Sequence, residues 1–357
     1  MRQPGPKPAR CRMPRGDTAS WCSVLALLCL LAAGLAGARL AGALPSRETG
    51  LAARLAGNDG ASEHWDLMAR FTSGHALFVR TMLTNAGPGS NTAIVIGQLV
   101  FPDGDVFDFD NGRREGRWRA APDGLFIKVG GSELDLHEPE RSFSKHSSKS
   151  SIQLDARFAA RPTHQAEGDG EPGVAATAIA PIESTFQVGK MPAPVSVEGV
   201  VMLRHAWSRT SESKHTRRWI DVIAGDTHDG VVIWGFENPQ GERRQWLSRT
   251  RDGAPALETT AFELAPEGAS GPEPAYPVPR RIELRGARLD GHLEFGGELV
   301  RVDPMGIIPQ PFRWFLSREI APRRILSRAQ LHLEPGDDSP GFDAPALVGI
   351  TWTLPLL

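Results

Sequence analysis

Residues 63–104 read EHWDLMARFTSGHALFVRTMLTNAGPGSNTAIVIGQLVFPDG. Two apolar runs, His75–Thr84 and Thr92–Phe101, flank a loop of Asn, Gly, Pro and Ser. Both runs are rich in the residues that suit a pleated, half-buried surface, and the Gly and Asn between them mark a turn. In the first run Leu77, Val79 and Leu83 share one face, with Ala76, Phe78 and Met82 on the other. In the second, Ala93, Val95, Leu99 and Phe101 oppose Ile94, Ile96 and Val100. Strands apolar on both faces need cover on both, which a barrel or sandwich with an apolar ligand supplies. Arg80 and Gln98 place one polar group on each strand, the mix found in small-molecule pockets.

Outward from this stretch the alternation continues. Ile152, Leu154, Ala156 and Phe158 alternate with Gln153, Asp155 and Arg157, and Val195, Val197, Gly199, Val201 and Leu203 begin a second series running to Leu354. Turn signals recur at Pro102-Asp103-Gly104, Asp110-Asn111-Gly112, Pro122-Asp123-Gly124, Asp229-Gly230, Asp252-Gly253 and Asp290-Gly291. Short strands at such spacing predict an all-β chain of antiparallel barrels. One short helix is expected at Pro311–Ile320, closed by Pro322. Residues 160–181 read as a linker.

The length of 357 residues predicts two domains. Lys+Arg 40 against Asp+Glu 42 leaves no basic excess for nucleic acid. Cys11, Cys22 and Cys29 all precede residue 30, so the later chain has no disulfide and no cysteine nucleophile or ligand. Arg2, Lys7, Arg10, Arg12 and Arg15 lead into an uncharged apolar run, Trp21–Ala38, and Ala36-Gly37-Ala38 and Ala41-Gly42-Ala43 both have the small-x-small form of a cleavage site. This is the pattern of a secretory signal peptide, and the run is also long enough to be a retained membrane anchor. Export across the cytoplasmic membrane is expected, to the periplasm or to an anchored position outside the cytoplasm. The reading is a signal or anchor over 1–44, a tether over 45–62, a first barrel over 63–190 and a second over 195–357.

Few motifs carry chemistry. His205 lies in His205-Ala206-Trp207 with no carboxylate beside it in sequence. It becomes an acid or base only if a distant acid, Glu63 or Glu198, faces it. Asp103, Asp105, Asp108 and Asp110 miss calcium-loop spacing and read as hairpin turns. There is no Gly-x-Ser-x-Gly, no phosphate or dinucleotide glycine loop and no His-Glu-x-x-His. No metal and no cofactor is expected.

Glu63-His64-Trp65, the run from Gly74 to Gly104, and Gly199 through His205-Ala206-Trp207 resemble the tandem lipocalin-like (calycin) family. That family includes AttH-type proteins, carotenoid hydratases and fungal survival-factor lipid-binding proteins. The resemblance implies two lipocalin-like barrels and a long apolar ligand such as an isoprenoid, carotenoid or acyl lipid. The family's Gly-x-x-Tyr-x-Asp-His-x-Trp stretch has Met202 at the Tyr place and Arg204 at the Asp place. Loss of that acid points away from catalysis, toward binding or transfer of the ligand in the cell envelope. A hydratase or cyclase acting on an isoprenoid through His205 is the alternative, and a structural envelope protein without a ligand is the third. The expected ligand-binding residues are Trp65, Arg80, Gln98, Arg204, His205 and Trp207, with Arg204 and His205 acting together in the second barrel's wall.

Overall fold

The structure is a computed structural model that describes residues 50–54, 60–85, 91–166, 172–268, 271–287, 289–307, 322–335 and 340–354. The expectations for Trp21–Ala38 and for a helix at Pro311–Ile320 lie outside the described residues. Among the described residues no helix is long and apolar enough to cross a membrane.

Strand after strand forms where the sequence alternates. The first sheet holds β1 (Ser62–Phe71), β2 (Ala76–Thr84), β3 (Thr92–Val100), β4 (Val106–Arg113), β5 (Trp118–Ala120), β6 (Phe126–Val129) and β7 (Ser132–Asp135). It continues through β8 (Arg141–Ser147), β9 (Ile152–Phe158), β10 (Pro162–Ala166), β11 (Gly173–Thr177), β12 (Ala180–Val188) and β13 (Val195–Ser208). The second sheet holds β14 (Arg218–Gly225), β15 (Gly230–Glu237), β16 (Arg243–Arg251), β17 (Ala254–Thr259) and β18 (Phe262–Glu267). It ends with β19 (Arg281–Gly286), β20 (Leu289–Val302), β21 (Arg323–Leu333) and β22 (Phe342–Trp352). Every pairing is antiparallel, and each sheet curls into a nearly closed barrel, β4 approaching β6 in the first and β16 approaching β18 in the second. The all-β, two-barrel expectation is met.

Three boundaries differ from the sequence reading. β13, expected to open the second barrel, is a central strand of the first, paired with β1 over Gly199–Ser208 on one side and with β12 and β11 on the other. Its 14 residues span two shorter neighbours in succession, β12 against Val195–Val201 and β11 against Arg204–Trp207. The second sheet therefore begins at Arg218. Residues 160–181, read as a linker, contain the β10–β11 hairpin. Part of the expected tether is structural too: Leu51 is fully buried in the first barrel's core, and the amide of Ala53 bonds to the carbonyl of Gly124.

The pleat sorts each strand into two faces. On β1, Trp65, Leu67, Ala69 and Phe71 point into the first barrel, where they meet Leu77, Val79, Leu99, Leu154, Phe186, Val201 and Leu203. The intervening Met68 points the other way and packs with Phe78, Met202, Trp219, Val232, Trp234 and Leu347 in a third apolar cluster between the barrels. The second barrel has its own core around Val222, Ile233, Leu284, Leu331 and Val348. Each fully buried Leu, Val or Phe contributes about 1.5–3 kcal/mol, so side chains filling these interiors hold each barrel and the two barrels together.

Candidate active site

Consecutive residues on a strand point to opposite faces, so the neighbours Arg204 and His205 of β13 serve different places. His205 turns into the first barrel and Arg204 turns toward the second; they form no joint site. Both are fully buried.

Inside the barrel, Trp65 lies directly across from His205, and Glu63 across from Trp207. The Trp65 and His205 rings stack at 4.4 Å with 4° between their planes, and Trp207 is tilted against His205 at 4.8 Å. Glu63 reaches His205 diagonally, its Oε1 lying 2.8 Å from Nε2. The other ring nitrogen, Nδ1, is 2.6 Å from the carbonyl oxygen of Gly50. A carbonyl can only accept, so Nδ1 carries a hydrogen and donates it. The Nε2–Oε1 contact then holds one proton between an imidazole and a carboxylate. The Trp65 Nε1–H donates to the carbonyl of Leu51 at 2.8 Å, and the Arg54 amide donates to Glu63 Oε1 at 2.7 Å. Residues 50–54 thus lock the dyad from below with backbone groups.

Above it opens a pocket of about 230 Å³ at the barrel mouth. Glu63, Leu83, Trp118 and Trp207 line it, with Arg54, Asn85, Asn91 and Arg209 as polar groups. Glu63 lines this space; His205 does not. The Arg54 guanidinium sits 3.7 Å over the Trp207 ring. Trp207 in turn lies flat on the backbone of Gly173, its partner on β11, where a Cβ would come within 2.1 Å of the indole.

On the other face, Arg80, Asp66 and Arg204 stand side by side on β2, β1 and β13. Asp66 accepts from Arg80 Nε and Nη2 at 2.7 and 2.6 Å and from Arg204 Nη2 at 2.5 Å. The second barrel adds Asp221, which takes Arg204 in a two-pronged contact at 2.7 and 2.9 Å. Glu212, the first residue of the short helix Glu212–His215 that connects the two sheets, accepts from Arg80 Nη1 and from the Trp219 indole. Arg324 of β21 stacks at 3.7 Å on Phe78 and approaches Asp66 at 4.0 Å. Three guanidiniums and three carboxylates balance in this cluster. His64 accepts from Arg204 at 3.1 Å, so its Nε2 is unprotonated; burial and then the Arg80 charge hold its pKa down to about 3. Burial pushes the Glu212 carboxyl up, but Arg80 overcomes this and brings it to about 2. Arg80 and Arg204 likewise keep Asp66 ionised against its burial. Burial, then repulsion by Arg80, lowers Arg324 to about 9.

The six residues expected at one ligand site therefore divide. Trp65, His205 and Trp207 come together in the first barrel. Arg80 and Arg204 join the ionic cluster between barrels, paired with Asp66 and Asp221 rather than with Glu63 or Glu198. Gln98 sits on the same outward face of the first sheet, buried across from Phe78. Glu63, named only as a possible partner, is the carboxylate at the pocket, whereas Glu198 is exposed. Asp66 and Asp221 were missed. Their signal was a lone acid in an otherwise apolar stretch, as in Trp219-Ile220-Asp221-Val222-Ile223.

Neither a described protein family nor a curated protein matches this sequence. Solved structures do. An AttH-like protein from Nitrosomonas europaea superposes with a TM-score of 0.62 at 10% identity, covering 87% of this chain and 98% of that one. The chain has the tandem lipocalin-like fold. CghA is similar at a TM-score of 0.56 and 12% identity, covering 83% of this chain and 89% of that one. Kievitone hydratase from Nectria haematococca follows at 0.55 and 10%, covering 88% and 94%. The resemblance read from Glu63-His64-Trp65 and His205-Ala206-Trp207 holds at the level of fold.

Proposed function

We propose that the mouth of the first barrel binds one end of an isoprenoid-type molecule and that Glu63 moves a proton there, as a hydratase or cyclase does. The observation that carries this reading is the Glu63–His205 contact at 2.8 Å, with Nδ1 committed to the Gly50 carbonyl. Glu63 is the catalytic group because it faces the pocket. His205, wholly buried, positions it and exchanges its proton. In a hydration, Glu63 gives its proton to one carbon of a double bond, water adds to the other, and the water's surplus proton returns to the pair. The acid that Arg204 displaces from the family's pattern is not required. A carboxylate at 204 would face the second barrel, on the opposite side of the sheet from His205.

A pocket of about 230 Å³ is smaller than the roughly 300–1,000 Å³ that encloses a drug-sized ligand, so an end of a long chain enters rather than all of it. The likeness to kievitone hydratase is in keeping with this chemistry. A second reading, binding or transfer in the cell envelope without chemistry, is favoured by Arg54, Asn85, Asn91 and Arg209 on the pocket wall, which suit a polar head group.

Incubating the full chain with isoprenoids and carotenoids in deuterium oxide separates the two. Water addition gives a product heavier by one deuterated water, absent with Glu63→Gln. Recovery of bound but unchanged ligand overturns the catalytic reading and leaves the binding one. Absence of any binding rejects both.

A further inference from the structure

Far from the pocket, four chemistry-bearing residues form one row across four neighbouring strands of the second barrel. Glu283 of β19 pairs with His292 of β20, His292 with His332 of β21, and His332 with Asp343 of β22. Their flanking residues Ile282, Leu293, Leu331 and Phe342 all belong to the barrel core, so the row itself lies on the outer face. Glu294 stands one pleat along β20 on the same face. Donor atoms of His292, Glu294 and His332 lie within 4.8 Å of one another.

We propose that His292, Glu294 and His332 form a site for a divalent transition metal of the zinc class. Two imidazoles and one carboxylate are the donor set of such ions, whereas calcium and magnesium take oxygen. The flanking acids complete the arrangement. Asp343 Oδ2 lies 2.9 Å from His332 Nδ1, which commits Nδ1 to donating and leaves Nε2 as the ligand nitrogen. A carboxylate behind a metal-binding histidine is a recurrent device for fixing its tautomer. Gln330 donates to the other oxygen of Asp343 and holds it in place, and Arg281 does the same for Glu283 beside His292. The two imidazoles already face each other at 4.7 Å with 29° between planes. With metal–donor bonds of about 2.1 Å, tetrahedral donors stand about 3.4 Å apart, so small rotations of these partly exposed side chains close the site. Three protein donors leave a fourth position to water. The ion would pin β20 to β21, where β20 is interrupted by bulges between Phe295 and Gly297 and between Glu298 and Val300.

The test is calorimetric titration of zinc into the full chain with any polyhistidine tag removed, with cobalt absorption as a second readout. One saturable zinc per chain is expected, with a cobalt spectrum of nitrogen and oxygen ligation. His332→Ala and His292→Ala should each weaken binding at least tenfold, and Asp343→Asn about 10–100-fold. Glu294→Gln, at an exposed position, serves as the variant least able to disturb folding. No saturable zinc, or zinc binding unchanged in both histidine variants, overturns the proposal.

Discussion

Asp66→Asn removes one negative charge from the centre of the inter-barrel cluster while keeping the side chain's size. The native carboxylate accepts three guanidinium hydrogen bonds, at 2.7, 2.6 and 2.5 Å, from Arg80 and Arg204. Asp66 is 2% exposed, so water cannot replace what is lost. With Asn in place, three arginines face only Asp221 and Glu212, and the amide NH₂ opposes a guanidinium donor. Breaking a buried ion pair by deleting one partner costs about 3–5 kcal/mol, because the other charge stays buried without its counter-ion. At about 2.1 cal/mol/K of unfolding entropy per residue, a body of about 300 residues loses about 5–8 °C in melting temperature. Differential scanning calorimetry of wild type, Asp66→Asn, Asp221→Asn and the double variant reads this directly. The double variant should lose less than the sum of the singles, since Arg204 couples the two acids. A loss below about 1 kcal/mol for Asp66→Asn, with full additivity, would refute the view that this cluster joins the barrels.

Other outcomes follow from the same geometry. His64 is held neutral in the fold down to about pH 3 but titrates near 6.5 when unfolded, so its share of stability is complete above pH 6.5 and is lost as pH falls toward 3; His64→Gln should flatten the stability–pH curve between pH 6.5 and 4.5 by about 1.4 kcal/mol per unit, measured by urea titration. Gly173→Val places a side chain where the Trp207 indole lies, so Trp207 fluorescence should shift and ligand affinity at the barrel mouth fall, while an unchanged spectrum would contradict the close approach. A reporter enzyme active only outside the cytoplasm should work when fused after Gly60, and activity confined to the cytoplasm would reject export.

Alternation and turn chemistry made the all-β architecture legible, because those signals are local. Which sheet a strand joins is not local. β13 looks like the start of a new series, and only its register with β1 assigns it to the first barrel. The role of residues 50–54 was hidden for a related reason: they act through backbone carbonyls and amides, which leave no side-chain signature. The joining of Arg204 to His205 overlooked the two-residue period of a strand, which already separates them. Glu63 and Glu198 were both open as distant partners for His205, with Glu63 read into the first barrel and His205 into the second. The choice between Glu63 and Glu198 needed the fold.

Glu63 is the group of the pocket that meets the ligand in the proposed reaction. Glu63→Gln keeps an oxygen for the Arg54 amide but holds no transferable proton. Ligand dissociation constant and single-turnover rate, measured on this variant with a ligand that the wild type converts, test the claim most directly. Affinity should stay within about threefold of wild type, and turnover should fall by about 10²–10⁴-fold, the scale of general acid–base catalysis. Turnover equal to wild type would contradict it.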